Sequence, residues 1–536
     1  MTSEDTSAPR SPRASSGALS RALVAHHRLL FALVLGALFV AVRLAFLSAD
    51  PPERLPNGAQ IYEIFTDPPA KSYEARTMAL FGTWKTSPAD NYQFWRVQAP
   101  VWVYPLSWFY RAFGVGYPQM RVFSTLAALS GLLAMLLFAG KKLRGFPYLA
   151  TGLFLTANYY YIIYGRSGLL ESLLNTFVIL TVYFLYLSRR HLAWLLAAEA
   201  ALVLSFLTKQ TGLYLLPVLL LIGGWSYRTH LRRGVSRWLL AAPLAQGVAL
   251  AFALGWYVTR EDYLRTVRWN YAHMALDHDV ADTVELQRFP VLDVLHRLLD
   301  VHVWMRGYFM LFPVAGALAA LELLRIAWQA ALHRRLPEWE AIVALWAVAS
   351  YGVLLLTPFL HVHYRLILFP PVMLLAGSGL SSLSRQRWVR KRPWVGHAVS
   401  RTAVVASLVV HARWYADWAR HRSYDLEDAA AAIRAKVGDK EAVFAGMWAA
   451  PLLFGTPYRY YYIKSIFNQA PEAIATFGLT HLLVIDRHDL AAQRLSRVFP
   501  EPWRYRRSIL ELDLREHTVV LSKLVRPVTL VNAVPE

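Results

Sequence analysis

The chain reads as a polytopic α-helical membrane protein of about eleven transmembrane helices, followed by a C-terminal soluble α/β domain. Three observations carry that reading. Of 536 residues, 56% are hydrophobic and only 17% charged, and the mean hydropathy is +0.32. A soluble protein of this length carries far more charge. Apolar runs of about 20 residues, the length a helix needs to cross a bilayer, recur along most of the chain. Basic residues gather in every second loop between those runs, as the positive-inside rule requires.

Residues 1–27 form a basic tail. Its first twenty positions are rich in Ser, Thr, Pro and Arg, predict disorder, and lack the apolar core and small-residue cleavage site of a signal peptide. The predicted spans lie near 28–48, 121–140, 146–164, 168–188, 191–208, 211–227, 237–257, 307–330, 339–358, 364–383 and 397–415. The stretch 92–118 reads as interfacial rather than spanning. It carries Arg96 and Arg111 among many Trp and Tyr, which suit headgroup depth.

The basic loops hold Arg10, Arg13 and Arg21; Lys141, Lys142 and Arg144; Arg189 and Arg190; Arg228, Arg232, Arg233 and Arg237; Arg334 and Arg335; and Arg385, Arg387, Arg390, Lys391 and Arg392. This placement of the net charge of +21 points to membrane orientation and not to nucleic acid. It puts the N-terminus in the cytoplasm of a bacterial or archaeal plasma-membrane type of cell. The intervening loops then face outward, among them 49–120 and 258–306. The transmembrane part runs over 28–415, and an odd span count leaves 416–536 outside.

Within that tail, 425–437 predicts an amphipathic helix, and 441–445, 481–486 and 518–521 predict buried strands, with helix around 471–477. No glycine-rich phosphate loop is present. A cap over the outer face or an acceptor-docking module is the simplest role. The chain has no cysteine, which excludes disulfides and thiolate metal sites.

The outer side collects the chemistry. In 61–84, Asp67 precedes Pro68 and Pro69, which predict a turn entering a helix, with helical spacing from Ser72 and a stop at Gly82. A carboxylate there stays ionised at the positive end of the helix dipole, although a plain N-cap fits equally well. Arg166 and Glu171 follow. They read either as a structural ion pair or as an anion ligand beside a carboxylate that orients a loop or a sugar hydroxyl. Lys209 lies between two apolar runs. It either snorkels to the interface or binds a lipid phosphate as a point charge. Arg365 can engage phosphate bidentately. His361 and His363 are ordinary interfacial histidines or, with Asp67, ligands of a divalent cation.

The order of these motifs resembles the GT-C membrane glycosyltransferases, in particular the protein mannosyltransferase and aminoarabinose transferase-like group of family 39 type. The resemblance rests on Asp67 followed by 73–84, on 99–106 and 113–121, and on Tyr164 to Arg166 through Glu171. Thr208 with Lys209, and Tyr364 with Arg365, Pro370 and Pro371, complete it; it covers roughly 60–385. It implies a polyprenyl-phosphate-sugar-dependent glycosyltransferase. Such an enzyme moves a sugar from the lipid-linked donor to a protein, lipid or glycan acceptor on the outer face, with inversion.

The resemblance assigns Asp67 as base or acceptor-orienting carboxylate, and Lys209, Arg365 and Arg166 as donor-phosphate ligands. Lys71, Tyr73, Tyr164, Tyr364 and His363 are candidate substrate contacts. The chain departs from the family where many members carry two adjacent acids, since Pro68 follows Asp67. Glu74 and Glu171 are then the candidates for a second acid. No cofactor is implied beyond an optional divalent cation. The rival reading is a transporter or flippase of an anionic lipid-linked substrate, a class that often shows paired broken helices in its two halves.

Overall fold

The computed structural model describes residues 16–56, 58, 63–88, 90, 94–265, 309–333, 336–356, 362–438, 441–446, 448–461, 474, 477–485, 504–514 and 517–525. The first part of the tail, most of the 258–306 loop, His361, Asp486 and most of the helix expected over 471–477 lie outside them.

The helices are α1 (Ser16–Leu44), α2 (Glu63–Phe81), α3 (Phe94–Gln98), α4 (Pro100–Phe113), α5 (Tyr117–Ala139), α6 (Gly145–Thr156), α7 (Tyr159–Arg166), α8 (Glu171–Ser188), α9 (Trp194–Thr208), α10 (Leu216–Arg232) and α11 (Arg237–Thr259). After the gap come α12 (Pro313–His333), α13 (Glu338–Leu356), α14 (Phe369–Leu383), α15 (Arg387–Lys391), α16 (Pro393–Arg420), α17 (Asp425–Val437) and α18 (Ala449–Leu453). Among the described residues, eight segments are long and apolar enough to cross a membrane. The other three expected spans coincide with helices of a different form. Residues 146–164 split into α6 and α7, α9 has 15 residues, and α10 is entered through a 3-10 turn, Gln210–Leu215.

Helices in lipid associate through close packing, and small residues allow it. A Cβ on Gly152 of α6 would come within 2.5 Å of Leu35 of α1, and one on Gly377 of α14 within 1.9 Å of Thr151 of α6. The α6/α7 break has its own partners. Asn158 caps α7 by accepting from Tyr161 N at 3.0 Å and donates to Leu311 O at 2.8 Å. Buried Arg43 donates to Thr156 O at 3.3 Å and Tyr161 O at 3.2 Å, satisfying carbonyls near the break.

Among the described residues, the basic turns after α5 and α8 meet the start of α13 at one end of the bundle. Lys142, after α5, pairs with Glu340 at 3.5 Å, and Arg189, after α8, pairs with Glu338 at 2.9 Å. Both acids open α13. Arg28 of α1 reaches Leu143 O at 3.4 Å. The start of α8, the end of α9 and the end of α13 therefore lie at the opposite end, where α2 packs and where α16 delivers the C-terminal segment.

That segment contains α17, at the expected residues, and a five-stranded sheet. Its strands are β1 (Val443–Ala445), β2 (Arg459–Tyr460), β3 (His481–Ile485), β4 (Arg506–Leu514) and β5 (His517–Leu524), in the order β2-β1-β3-β5-β4. β1 runs parallel to β2 and β3, and β5 antiparallel to β3 and β4. Arg76 of α2 pins the sheet region to the bundle. It is fully buried, and its guanidinium donates to the carbonyls of Phe454, Thr456 and Tyr458 at 2.8 Å each and of Leu453 at 3.2 Å.

Candidate active site

Helix α2 begins nine residues earlier than the spacing from Ser72 predicts, at Glu63, and Pro68 and Pro69 sit inside it. The earlier start matters. Glu63, Asp67 and Lys71 fall at i, i+4 and i+8, on one face of one helix. Lys71 Nζ donates to Asp67 Oδ2 at 2.9 Å. The helix ends at Phe81 with Gly82 at φ +72°, the left-handed conformation glycine adopts freely.

Three other segments meet this face. Glu171 opens α8, and Lys209 follows α9 in extended conformation and forms an ion pair with it. The 3-10 turn Val362–Leu368 carries His363, Tyr364 and Arg365. His363 is 1% exposed; its Nε2 lies 3.7 Å from Glu171 Oε1 and 3.8 Å from Asp67 Oδ2, and its Nδ1 lies 4.0 Å from Glu63 Oε1. Lys209 Nζ stands 4.0 Å from the centre of the Tyr364 ring. Tyr164, from α7, donates to Glu63 Oε1 at 3.3 Å. Irregular backbone of this kind at the ends of spans is tolerated where it lines a site instead of facing lipid.

The cluster thus joins three carboxylates, two lysines and a histidine. Asp67 is about one-third exposed, whereas Lys71, Glu171 and His363 are buried. Burial alone would raise the Asp67 carboxyl, but Lys71 and His363 outweigh it and hold it below the ordinary value. Burial likewise works against the Lys71 charge, yet Asp67 and Glu171 lift that ammonium above its usual range. Lys209 goes the other way: burial pulls it down to about 8, against the attraction of Glu171. Burial raises Glu63, which its backbone and Tyr164 hydrogen bonds only partly offset. The second oxygen of Glu171 is buried and accepts no hydrogen bond among the described residues, so it offers a lone pair to a substrate hydroxyl or ammonium.

Of the sequence candidates, Asp67, Lys71, Tyr164, Glu171, Lys209, His363 and Tyr364 converge. Arg365 shares the turn, half-buried, within electrostatic reach of Tyr160 and Tyr164. Three candidates face elsewhere. Arg166 donates to Ala45 O at 2.8 Å, Phe46 O at 2.7 Å and Leu47 O at 3.3 Å; its charge holds the turn after α1 and is not turned to the cluster. Tyr73 donates to Asp90 Oδ2 at 2.7 Å and contacts Tyr460 O at 3.1 Å, because the face of α2 that bears it and Arg76 packs on the C-terminal segment. Glu74 lies one turn beyond Lys71. It accepts from Arg96 N at 2.7 Å, thereby holding α3, and burial raises it to about 8. Glu63 was missed in the sequence, because a helix begun at Ser72 hides its spacing.

Of the metal-ligand candidates, His361 lies outside the described residues. No group of three or more His, Asp or Glu able to hold a metal occurs among the described residues. The Asp67 and Glu171 oxygens nearest His363 are the ones that take Lys71 and Lys209.

No family model matches the sequence, and no curated protein does either. Solved structures do resemble it. The crystal structure of ArnT from Cupriavidus metallidurans bound to undecaprenyl phosphate is 17% identical, with 95% of this chain and 98% of that chain covered and a TM-score of 0.53. The apo state of the same protein is 18% identical over 91% and 97%, again with a TM-score of 0.53. The Archaeoglobus fulgidus oligosaccharyltransferase gives a weaker likeness, 12% identical over 85% and 69% with a TM-score of 0.49, and adds nothing to the assignment. The chain has the fold of the GT-C membrane glycosyltransferases.

Proposed function

We propose that the protein transfers a sugar from a polyprenyl-phosphate donor to an acceptor at the outer face of the membrane, with Asp67 as the base. One observation carries this reading: four segments far apart in sequence bring Asp67, Lys71, Glu171, Lys209, His363 and Tyr364 into one cluster. The cluster lies at the end of the bundle opposite the basic loops, which the positive-inside rule assigns to the cytoplasm. The fold it shares with ArnT, whose structure holds undecaprenyl phosphate, supports a lipid carrier of the same class.

In this mechanism the donor phosphate is the leaving group. Lys209 and Lys71, with Arg365 from the turn, neutralise the charge that grows on it as the glycosidic bond breaks. Asp67, kept ionised by Lys71 and His363, takes the proton of the acceptor hydroxyl or amine. Attack opposite the leaving phosphate inverts the anomeric carbon. The free oxygen of Glu171 orients a sugar hydroxyl. The aromatic helices α3 and α4, with Tyr104, Trp108 and Phe113 exposed, offer the prenyl chain an interfacial surface.

The test is direct. Purified protein in liposomes, given a polyprenyl-phosphate sugar and candidate acceptors, should release free polyprenyl phosphate in step with acceptor glycosylation. Movement of intact donor across the bilayer without cleavage would overturn the proposal in favour of a flippase.

A further inference from the structure

Behind the first turn of α2, away from the cluster, two arginines are buried side by side. Arg121 of α5 is 4% exposed and Arg166 of α7 is 3% exposed. They are close enough to repel each other electrostatically. Neither lies within ion-pair distance of a carboxylate among the described residues. Their hydrogen bonds go to backbone carbonyls: Arg166 to Ala45, Phe46 and Leu47, and Arg121 to Leu47. Asp50 and, more weakly, Glu427 attract Arg121 from a distance, and Asp50 Oδ2 also accepts from Ser423 Oγ at 3.2 Å and Leu426 N at 3.3 Å, at the start of α17. Carbonyl dipoles solvate the guanidinium groups but do not cancel two charges. Burying charge that is only partly compensated is costly, so a site of this kind favours a counter-ion.

A small, partly open cavity is lined by both of them. Its volume is about 10 Å³, room for one water-sized occupant. Ile64 of α2, Tyr117, Ser167 and Trp418 line it with the two arginines, which among the described residues are the only charged side chains in its wall.

We propose that this cavity binds a single monatomic anion of chloride size, held between the Arg121 and Arg166 guanidinium groups. Room for one water-sized sphere suits a monatomic ion better than phosphate or sulfate with their four oxygens. The position couples the ion to the site indirectly. It sits where the turn after α1, the first turn of α2, the end of α16 and the start of α17 meet, so occupancy fixes the junction from which Glu63 and Asp67 project.

The test uses the purified full-length protein in detergent. At constant ionic strength, replacing gluconate by chloride should raise the unfolding temperature saturably, as binding to the native state alone requires. Bromide should substitute for chloride and sulfate should not. Arg121→Met should abolish the anion-specific shift while leaving any general salt effect. Crystals grown in bromide should show an anomalous peak between the two guanidinium groups. If Arg121→Met does not fold, that peak decides alone. Absence of the peak shows that the cavity holds water only and overturns the proposal. A shift that persists undiminished in Arg121→Met places the ion elsewhere and overturns it too.

Discussion

Lys209 supplies the sharpest quantitative prediction. Burial brings its ammonium down to about 8, with Glu171 opposing, whereas Lys71 is lifted above its ordinary value. If Lys209 holds donor phosphate, binding depends on its charged fraction. That fraction is near full well below pH 8, half at the midpoint, and falls above it by about tenfold per pH unit once well past the midpoint, equivalent to about 1.4 kcal/mol per unit. Lys71 stays charged over the same window, so the loss stops short of complete. Initial rates against donor concentration, measured from neutral pH to about two units above the Lys209 midpoint, should show KM for the donor rising along this limb while kcat changes less. Lys209→Arg carries a charge that does not titrate in this range and should flatten the limb. A wild-type KM independent of pH, or the same rising limb in Lys209→Arg, would refute the assignment of Lys209 to the phosphate.

Other consequences follow from the contacts. Arg76→Met removes the donor to four buried carbonyls and should destabilise the protein by about 3–5 kcal/mol, read as early proteolytic release of the C-terminal segment. Asn158→Ala removes the cap of α7 and should cost about 1–2 kcal/mol in denaturant unfolding, with no change in the pH profile of turnover. Arg166→Gln should leave KM for the donor unchanged even where it lowers stability, because that side chain holds the turn after α1.

The spans were legible because bilayer thickness imposes a length and orientation imposes a charge bias, and both are written in composition. The amphipathic helix at 425–437 and the stop at Gly82 were legible for local reasons, a helical period and a residue that takes positive φ without strain. What failed depended on partners remote in sequence. Pro68 and Pro69 signalled a boundary, but the preceding turn packs well enough for the helix to begin at Glu63 and run through them. Asn158 lay in an apolar run read as one span; the break it caps is held by Leu311 and Arg43, both remote in sequence. Arg166 and Tyr73 fit donor or substrate contacts by residue type, yet one serves carbonyls after α1 and the other serves Asp90. β2 has two residues and β4 is largely exposed and polar, so neither carries the apolar signal by which β3 and β5 were found.

The central claim is that Asp67 acts on the acceptor and not on donor binding. Asp67→Asn keeps the shape of the side chain and removes its charge. Equilibrium binding of a polyprenyl-phosphate sugar, measured beside release of free polyprenyl phosphate by the same sample, separates the two roles. The account predicts donor affinity within a few-fold of wild type and turnover reduced by at least about two orders of magnitude, the loss expected for a general base. Near wild-type turnover in Asp67→Asn would contradict it.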